Sequence, residues 1–206
     1  MYKAFIKRTI DIILSLSGIL VLAVPMLVVA LIIKLDDPGP ALFVQKRVGL
    51  HKRLFSLYKF RSMKLDTPDI PTHLLENPDA YLIRIGKTIR RLSIDELPQL
   101  FNILKGDMSI IGPRPALWNQ YDLIAERDKY GANDIKPGLT GWAQINGRDE
   151  LEIDEKARLD GEYVRRMSFG FDCRCFFGTF SSVLRSNGVV EGGTGQMNKE
   201  KEKTEV

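Results

Sequence analysis

Leu92-Ser-Ile-Asp-Glu-Leu-Pro-Gln-Leu-Phe-Asn-Ile-Leu-Lys-Gly-Asp-Met-Ser-Ile-Ile-Gly-Pro-Arg-Pro115 is the stretch around which the chain is organised. Leu97, Leu100, Phe101 and Leu104 recur at i, i+3, i+4 and i+7, the spacing of one buried helix face. Gly106 fits the stop. A start at Ser93, with Glu96 closing a capping box, puts the Pro98 ring against a carbonyl four residues back. A start with Asp95 as N-cap puts Pro98 where an amide hydrogen is unbonded anyway, and is the preferred reading. It places an ionised carboxylate at the positive end of a helix, a position that also suits phosphate. Arg84, Lys87, Arg90 and Arg91 precede the Asp95–Glu96 pair, and Arg114 follows in a rigid Gly-Pro-Arg-Pro loop. Two readings stand side by side. The acids are salt-bridged in an ordinary helix cap, or they are half of a site whose basic groups hold phosphates while an acid attacks.

The net charge of +4 is unevenly spread. Between Leu42 and Lys64 there are seven Lys or Arg and no acid, so the rest of the chain carries −3. Such a block expects an anionic partner such as phosphate or lipid headgroups. Cys173 and Cys175, one residue apart, point to reduced thiols rather than a disulfide framework. With only His51 and His73, histidine-based zinc sites and triads have little to work with.

Ile12 to Ile33 is an uncharged run of 22 residues, roughly 33 Å as a helix and enough for a bilayer core. It has no polar face. Lys3, Lys7 and Arg8 flank one end and Lys34, Lys46 and Arg47 follow the other, so both ends favour the cytoplasmic side. Pro25 removes a helix hydrogen bond near the middle and permits a sharp bend. The expectation is a re-entrant helix over residues 1–35, bent at Pro25, entering and leaving by one leaflet. A plain single span is the alternative. Asp11 is expected to pair with Lys7 and Arg8 at headgroup level.

Beyond the Asp36-Asp37-Pro38-Gly39-Pro40 turn, Leu42–Gln45 and Phe55–Phe60 read as strands of a small β-hairpin that presents Lys59 and Arg61 on one face. Residues 66–79 read as a surface loop. Leu117, Tyr121, Ile124 and Ala125 form a helical stripe expected in the core. Pro137-Gly138-Leu139-Thr140-Gly141-Trp142 is a glycine-punctuated loop that either holds a base or sugar or is a structural turn. Ile153, Ala157, Val164 and Met167 mark a helix, and Phe176, Phe177, Phe180, Val183 and Leu184 an aromatic stripe suited to the core or to the membrane interface. The tail, 186–206, has nothing to bury and is expected to be disordered. The fold class is α+β and mostly helical, with a catalytic domain over 36–185.

In order along the chain, Lys7-Arg8 with Asp11, Asp37-Pro38-Gly39-Pro40, Tyr58-Lys59-Phe60-Arg61-Ser62-Met63, Asp95-Glu96-Leu97-Pro98-Gln99, Gly106-Asp107-Met108-Ser109, Gly112-Pro113-Arg114-Pro115, and Pro137-Gly138-Leu139-Thr140-Gly141 with Gly147-Arg148 resemble the motifs of the bacterial sugar transferase family, the monotopic phosphoglycosyl transferases. The match covers about residues 3 to 185. The small size looks like that of short members that act in bacterial N-glycosylation. One departure is Val24 before Pro25, where some members carry Ser.

The resemblance implies transfer of a phospho-sugar from a UDP-sugar to undecaprenyl phosphate at the cytosolic face of the inner membrane, with release of UMP. N,N'-diacetylbacillosamine or a related N-acetyl amino sugar is the sugar it implies. It also implies that Asp95 attacks the sugar-bearing phosphorus to form a covalent intermediate. Glu96 then assists as base or holds acceptor and metal, and Mg²⁺, held through Asp95, neutralises the diphosphate. Lys59, Arg61, Arg90, Arg114 and Arg148 are expected to hold phosphates or anionic phospholipid headgroups, and Lys7, Arg8 and Pro25 to fix the membrane segment. Two rivals remain. One is a direct transferase in which Asp95 only ligates metal. The other is a membrane-tethered binder of anionic lipid or nucleic acid without catalysis, although no nucleic-acid motif is present and no aromatics interleave with the basic block.

Overall fold

The structure, a computed structural model, describes residues 2–68, 77–147 and 151–185. The tail and most of the expected loop over 66–79 lie outside them. After a π-helical turn at Tyr2–Ile6, helix α1 runs Lys7–Asp36. A hairpin follows, β1 (Leu42–Val48) and β2 (Leu54–Phe60), paired antiparallel with Leu42 opposite Phe60. Next come α2 (Gly86–Arg91), α3 (Gln99–Lys105), β3 (Ser109–Ile111) and α4 (Tyr121–Asp128). The chain closes with β4 (Gly138–Thr140), α5 (Trp142–Ile145), α6 (Ile153–Arg166) and α7 (Phe169–Arg185). Strands β3 and β4 pair in parallel, Ser109 opposite Gly138 and Ile111 opposite Thr140.

Pro25 lies inside α1 without ending it. One face of α1 packs on the body of the protein along its whole length. Asp11 and Ser15 are buried near its start, Gly18 lies against Leu100 of α3, and Met26 and Ile33 join Phe60, Ile83 and Ile89 in a core cluster. The opposite face is apolar and bare: Val21 is 76% exposed, Val24 and Leu27 70%, Leu35 75%. Exposed residues at this spacing form a stripe that water disfavours and hydrocarbon does not. By length, composition and this stripe α1 is a membrane-anchoring helix.

Both ends of α1 are tied to the same body. Arg8 donates to the carbonyls of Ile103 and Leu104 at 2.7 and 2.9 Å, and Lys7 pairs with Asp172 of α7 at 2.7 Å. At the other end Asp36 accepts from the Ile85 amide, and Asp37 pairs with Arg61 at 2.7 Å. Asp11 therefore does not pair with Lys7 and Arg8 as expected. Its carboxylate accepts from Ser109 Oγ and the Ile110 amide of β3 at 2.9 and 2.8 Å. The two cations find partners 95 to 165 residues away.

Three other expectations are corrected. On α3 the buried residues are Gln99, Leu100, Asn102 and Ile103, while Phe101 is 46% exposed. The helix lies between α1 and β2, so its buried face turns away from the simple stripe. On α4 Leu123 and Arg127 are buried, and Tyr121 is 68% exposed. Arg127 is buried because α6 supplies Asp160, at 2.6 Å. The Gly138–Thr140 segment is a strand rather than a loop. A Cβ on Gly138 would lie 2.1 Å from the Gly112 amide nitrogen, so the parallel pair needs glycine there. Trp142 packs on Phe171, lies under the Arg166 and Arg174 guanidiniums and donates to Glu162.

Candidate active site

The hairpin, the turn before α3 and the loop after β3 converge on the Asp95–Glu96 pair. Neither start foreseen for the helix is found. Ser93 takes a left-handed backbone (φ 56°), residues Ile94–Glu96 make a 3-10 turn, and Pro98 occupies the N-cap of α3. Proline fits there because its missing N–H falls among the unbonded first-turn amides. The carboxylates thus sit in a separate turn ahead of the helix, and both are buried. Among non-glycine residues a left-handed Ser next to buried acids is the kind of local strain that collects at functional sites.

Asn102, which the sequence reading passed over, fixes the distance between α3 and the hairpin. Fully buried, it accepts from the Tyr58 amide at 3.0 Å and donates to the Ser56 carbonyl at 2.8 Å. A polar residue in mid-helix among apolar neighbours is the signal that marks it, since a buried amide must find partners. So held, β2 aims Lys59 at the acids: its Nζ lies 3.0 Å from Glu96 Oε1 and 3.9 Å from Asp95 Oδ2. Arg114 Nη2 reaches the same Glu96 oxygen at 2.6 Å. Arg47 of β1, named from the sequence only as a flanking cation, donates to the Pro115 carbonyl at 3.1 Å and so steadies the loop that carries Arg114.

The two acids differ. Glu96 is committed to Lys59 and Arg114. Asp95 makes no hydrogen bond to any described residue and lines a cavity of about 430 Å³ with Lys59, Arg61, Arg90, Phe43 and Trp118. Burial, more than Glu96 beside it, raises its pKa from 3.8 to about 6, against the pull of Lys59, Arg90 and Arg114. Burial likewise pushes Lys59 below its usual range despite the two carboxylates.

Of the expected phosphate-binding residues, Lys59, Arg90 and Arg114 meet at the pair. Arg61 borders the same cavity, and its guanidinium also bonds the Asp37 side chain and carbonyl. Strand β2 ends at Phe60, and Arg61 turns back toward the end of α1. Arg148 lies outside the described residues. Trp118, 48% exposed, lines the cavity wall.

The carboxylate that could ligate a divalent cation on the cavity side is that of Asp95. Mg²⁺ takes oxygen ligands, one or two carboxylates plus substrate phosphates, and Asp95 presents an uncommitted carboxylate beside cations able to hold a diphosphate. No cluster of three or more Asp, Glu, His or Cys occurs among the described residues.

The family model described as bacterial sugar transferase matches residues 2–186. An uncharacterised sugar transferase, EpsL, of Bacillus subtilis (strain 168) is 41% identical over 186 residues, covering 90% of this chain and 91% of that protein. The undecaprenyl-phosphate glucose phosphotransferase of Komagataeibacter xylinus is 44% identical over 191 residues, 87% of this chain and 36% of its own length. The UDP-N-acetylgalactosamine-undecaprenyl-phosphate N-acetylgalactosaminephosphotransferase of Aeromonas hydrophila is 39% identical over 192 residues, 90% and 45% respectively. The chain thus spans less than half the length of the latter two. With a match from the first turn of the anchor to the end of α7, the chain belongs to the bacterial sugar transferase family, a family of transferase enzymes.

Proposed function

We propose that the protein transfers a sugar phosphate from a UDP-sugar to undecaprenyl phosphate and releases UMP, with Asp95 as nucleophile. The observation that carries this reading is the asymmetry of the pair: Asp95 makes no hydrogen bond to any described residue and opens on a cavity with Lys59 and Arg90, while Glu96 is held in place. The names of the Komagataeibacter and Aeromonas relatives support the substrate classes.

Lys59 and Arg90 hold the diphosphate, and Phe43 and Trp118 flank the nucleotide or sugar. An Asp95 carboxylate oxygen attacks the sugar-bearing phosphorus, and the phosphorus–oxygen bond to UMP breaks. The acceptor's phosphate oxygen then attacks the same phosphorus, forming the lipid diphosphate and returning Asp95 as carboxylate. Asp95 is the residue that would hold Mg²⁺, which would supply charge neutralisation to the diphosphate. Glu96 anchors Lys59 and Arg114 through both halves and takes up or returns the proton of an incoming phosphate. The sugar is an N-acetylated amino sugar such as N,N'-diacetylbacillosamine, and its glycolipid product enters N-glycan assembly.

The protein is monotopic on the cytosolic face of the inner membrane. Residues 1–35 are re-entrant and 36–185 form the catalytic domain, with anionic phospholipids at the basic rim. Support for this comes from the two ends of α1, both tied to one body. Intact-protein mass spectrometry with UDP-sugar and no acceptor tests the chemistry: a phospho-sugar adduct on wild type that vanishes in Asp95→Asn is the expected result. Transfer without any adduct, or with Asp95→Asn active, refutes the nucleophile. Turnover on a panel of UDP-sugars decides the sugar.

A further inference from the structure

Strand β1 pairs with β2 along one edge, and among the described residues its other edge is covered only at one end. In an antiparallel pair the backbone groups of successive residues point alternately toward the partner strand and away from it. Ala41 accepts from the Arg61 amide, and the Gly49 amide donates to the Arg53 carbonyl, so the odd-numbered residues between them face β2. The Val48 amide donates outward, to the Ala116 carbonyl at 2.9 Å, and a bridge between Arg47 and Leu117 closes that end of the edge. Val44 and Lys46 point the same way as Val48. The Val44 amide and carbonyl and the Lys46 amide have no hydrogen-bond partner among the described residues. On the far edge of the hairpin the equivalent groups, the Tyr58 amide and the Ser56 carbonyl, are answered by the Asn102 side chain. Val44 and Lys46 border the same cavity as Asp95, and so does Trp118, the residue next to the bridging Leu117.

Resting on the reaction proposed above, we infer that the open edge of β1 at Val44 reads the uracil of the donor, with the base stacked on Trp118. Val44 offers one donor and one acceptor side by side. The imide edge of uracil presents the complement, a carbonyl oxygen beside the N3 hydrogen. Cytosine carries an amino group in place of that oxygen and no hydrogen on N3, so it sets donor against donor and acceptor against acceptor. Lys59 and Arg90 border the same cavity and hold the diphosphate, which fixes the way round that the base lies. Sugar hydroxyls can also bond a strand edge, but they rotate to suit either order. Only a base makes the order of donor and acceptor matter. The half-exposed indole of Trp118 supplies the flat face that a base needs and that a strand edge lacks.

Calorimetric titration of the full-length protein in lipid nanodiscs with UMP, CMP and N3-methyl-UMP tests the assignment without requiring turnover. UMP should bind about tenfold more tightly than either analogue. Proline is tolerated on an edge strand where its nitrogen faces away from the partner, so Val44→Pro deletes the outward donor without costing the β1–β2 ladder a bond. Its UMP affinity should fall about tenfold and its preference for UMP over CMP should collapse, while inorganic pyrophosphate still binds. Val44→Ala, which keeps the amide, should lose less. Trp118→Ala should weaken UMP about tenfold and keep the preference over CMP. Equal binding of the three nucleotides, equal losses in Val44→Pro and Val44→Ala, or an undiminished preference in Val44→Pro overturns the assignment. Altered selectivity among UDP-sugars with unaltered UMP binding gives the edge to the sugar and overturns it too. UMP binding that depends on Val44 in a protein that consumes no UDP-sugar rejects the reaction but keeps the base site; turnover in Val44→Pro with an unchanged KM for the UDP-sugar does the reverse.

Discussion

At the scale of single residues, burial and charge compete at Asp95, and burial prevails. On the proposed reaction Asp95 attacks as the carboxylate, so kcat/KM should fall as pH drops through about 6, the raised value of this group. Glu96 raises that pKa and also holds Lys59 and Arg114, which lower it. Glu96→Gln removes a repelling charge and frees two attracting ones, so all changes act in one direction. The acid limb should move below 6 in that variant, whatever happens to the maximal rate; a limb that stays or rises contradicts the electrostatics. Stability follows with its own sign. A carboxyl whose folded pKa exceeds its unfolded one favours the fold while protonated, and costs stability as pH rises from 3.8 through about 6. Asp95→Asn removes that cost. At pH 8 its thermal midpoint should exceed that of wild type, by an amount equivalent to at most about 3 kcal/mol, and the difference should shrink toward pH 4.

Among elements, α4 and α6 are joined by an ion pair hidden from water, Arg127 with Asp160, side chains 4% and 1% exposed. Such pairs gain little over apolar substitutes but are costly to break singly. Arg127→Met should destabilise by about 3–5 kcal/mol, whereas Arg127→Met with Asp160→Leu should recover most of the loss. Denaturant melts of both variants measure this, and equal losses contradict it. The junction of α7 with the N-terminus is built on Asp172, which accepts from Tyr2, Lys7 and Tyr163 at 2.5, 2.7 and 2.8 Å. These couplings were not legible in the sequence. Hydrophobic spacing locates a helix, but the partner of a buried charge is chosen by tertiary proximity, across 33 residues for Arg127 and 165 for Lys7. For the same reason Phe101 and Tyr121 were assigned to the core: their periodicity is local, while the number of faces covered depends on neighbours distant in the chain. The hairpin, the α3 stop at Gly106 (φ 104°) and the acid pair with Lys59 and Arg114 were legible, because strand alternation, a left-handed glycine and charge density are properties of short segments.

For the whole molecule, α1 is as much core as anchor. Met26 and Ile33 complete a cluster with Phe60, Ile83 and Ile89, and Arg8 supplies donors for the last carbonyls of α3. A chain trimmed to residues 36–185 should therefore lose cooperative unfolding and aggregate, and circular dichroism melts with sedimentation would show it. A monomeric, cooperatively melting fragment contradicts the packing.

The contact of Gly18 with Leu100 carries a consequence for engineering. A borrowed hydrophobic helix, grafted to keep the enzyme at its lipid surface, would restore the address but not the architecture, because the native segment supplies part of the wall beside the reacting acids. Solubilising such an enzyme means choosing an amphiphile that replaces the bilayer around the helix, not cutting the helix away.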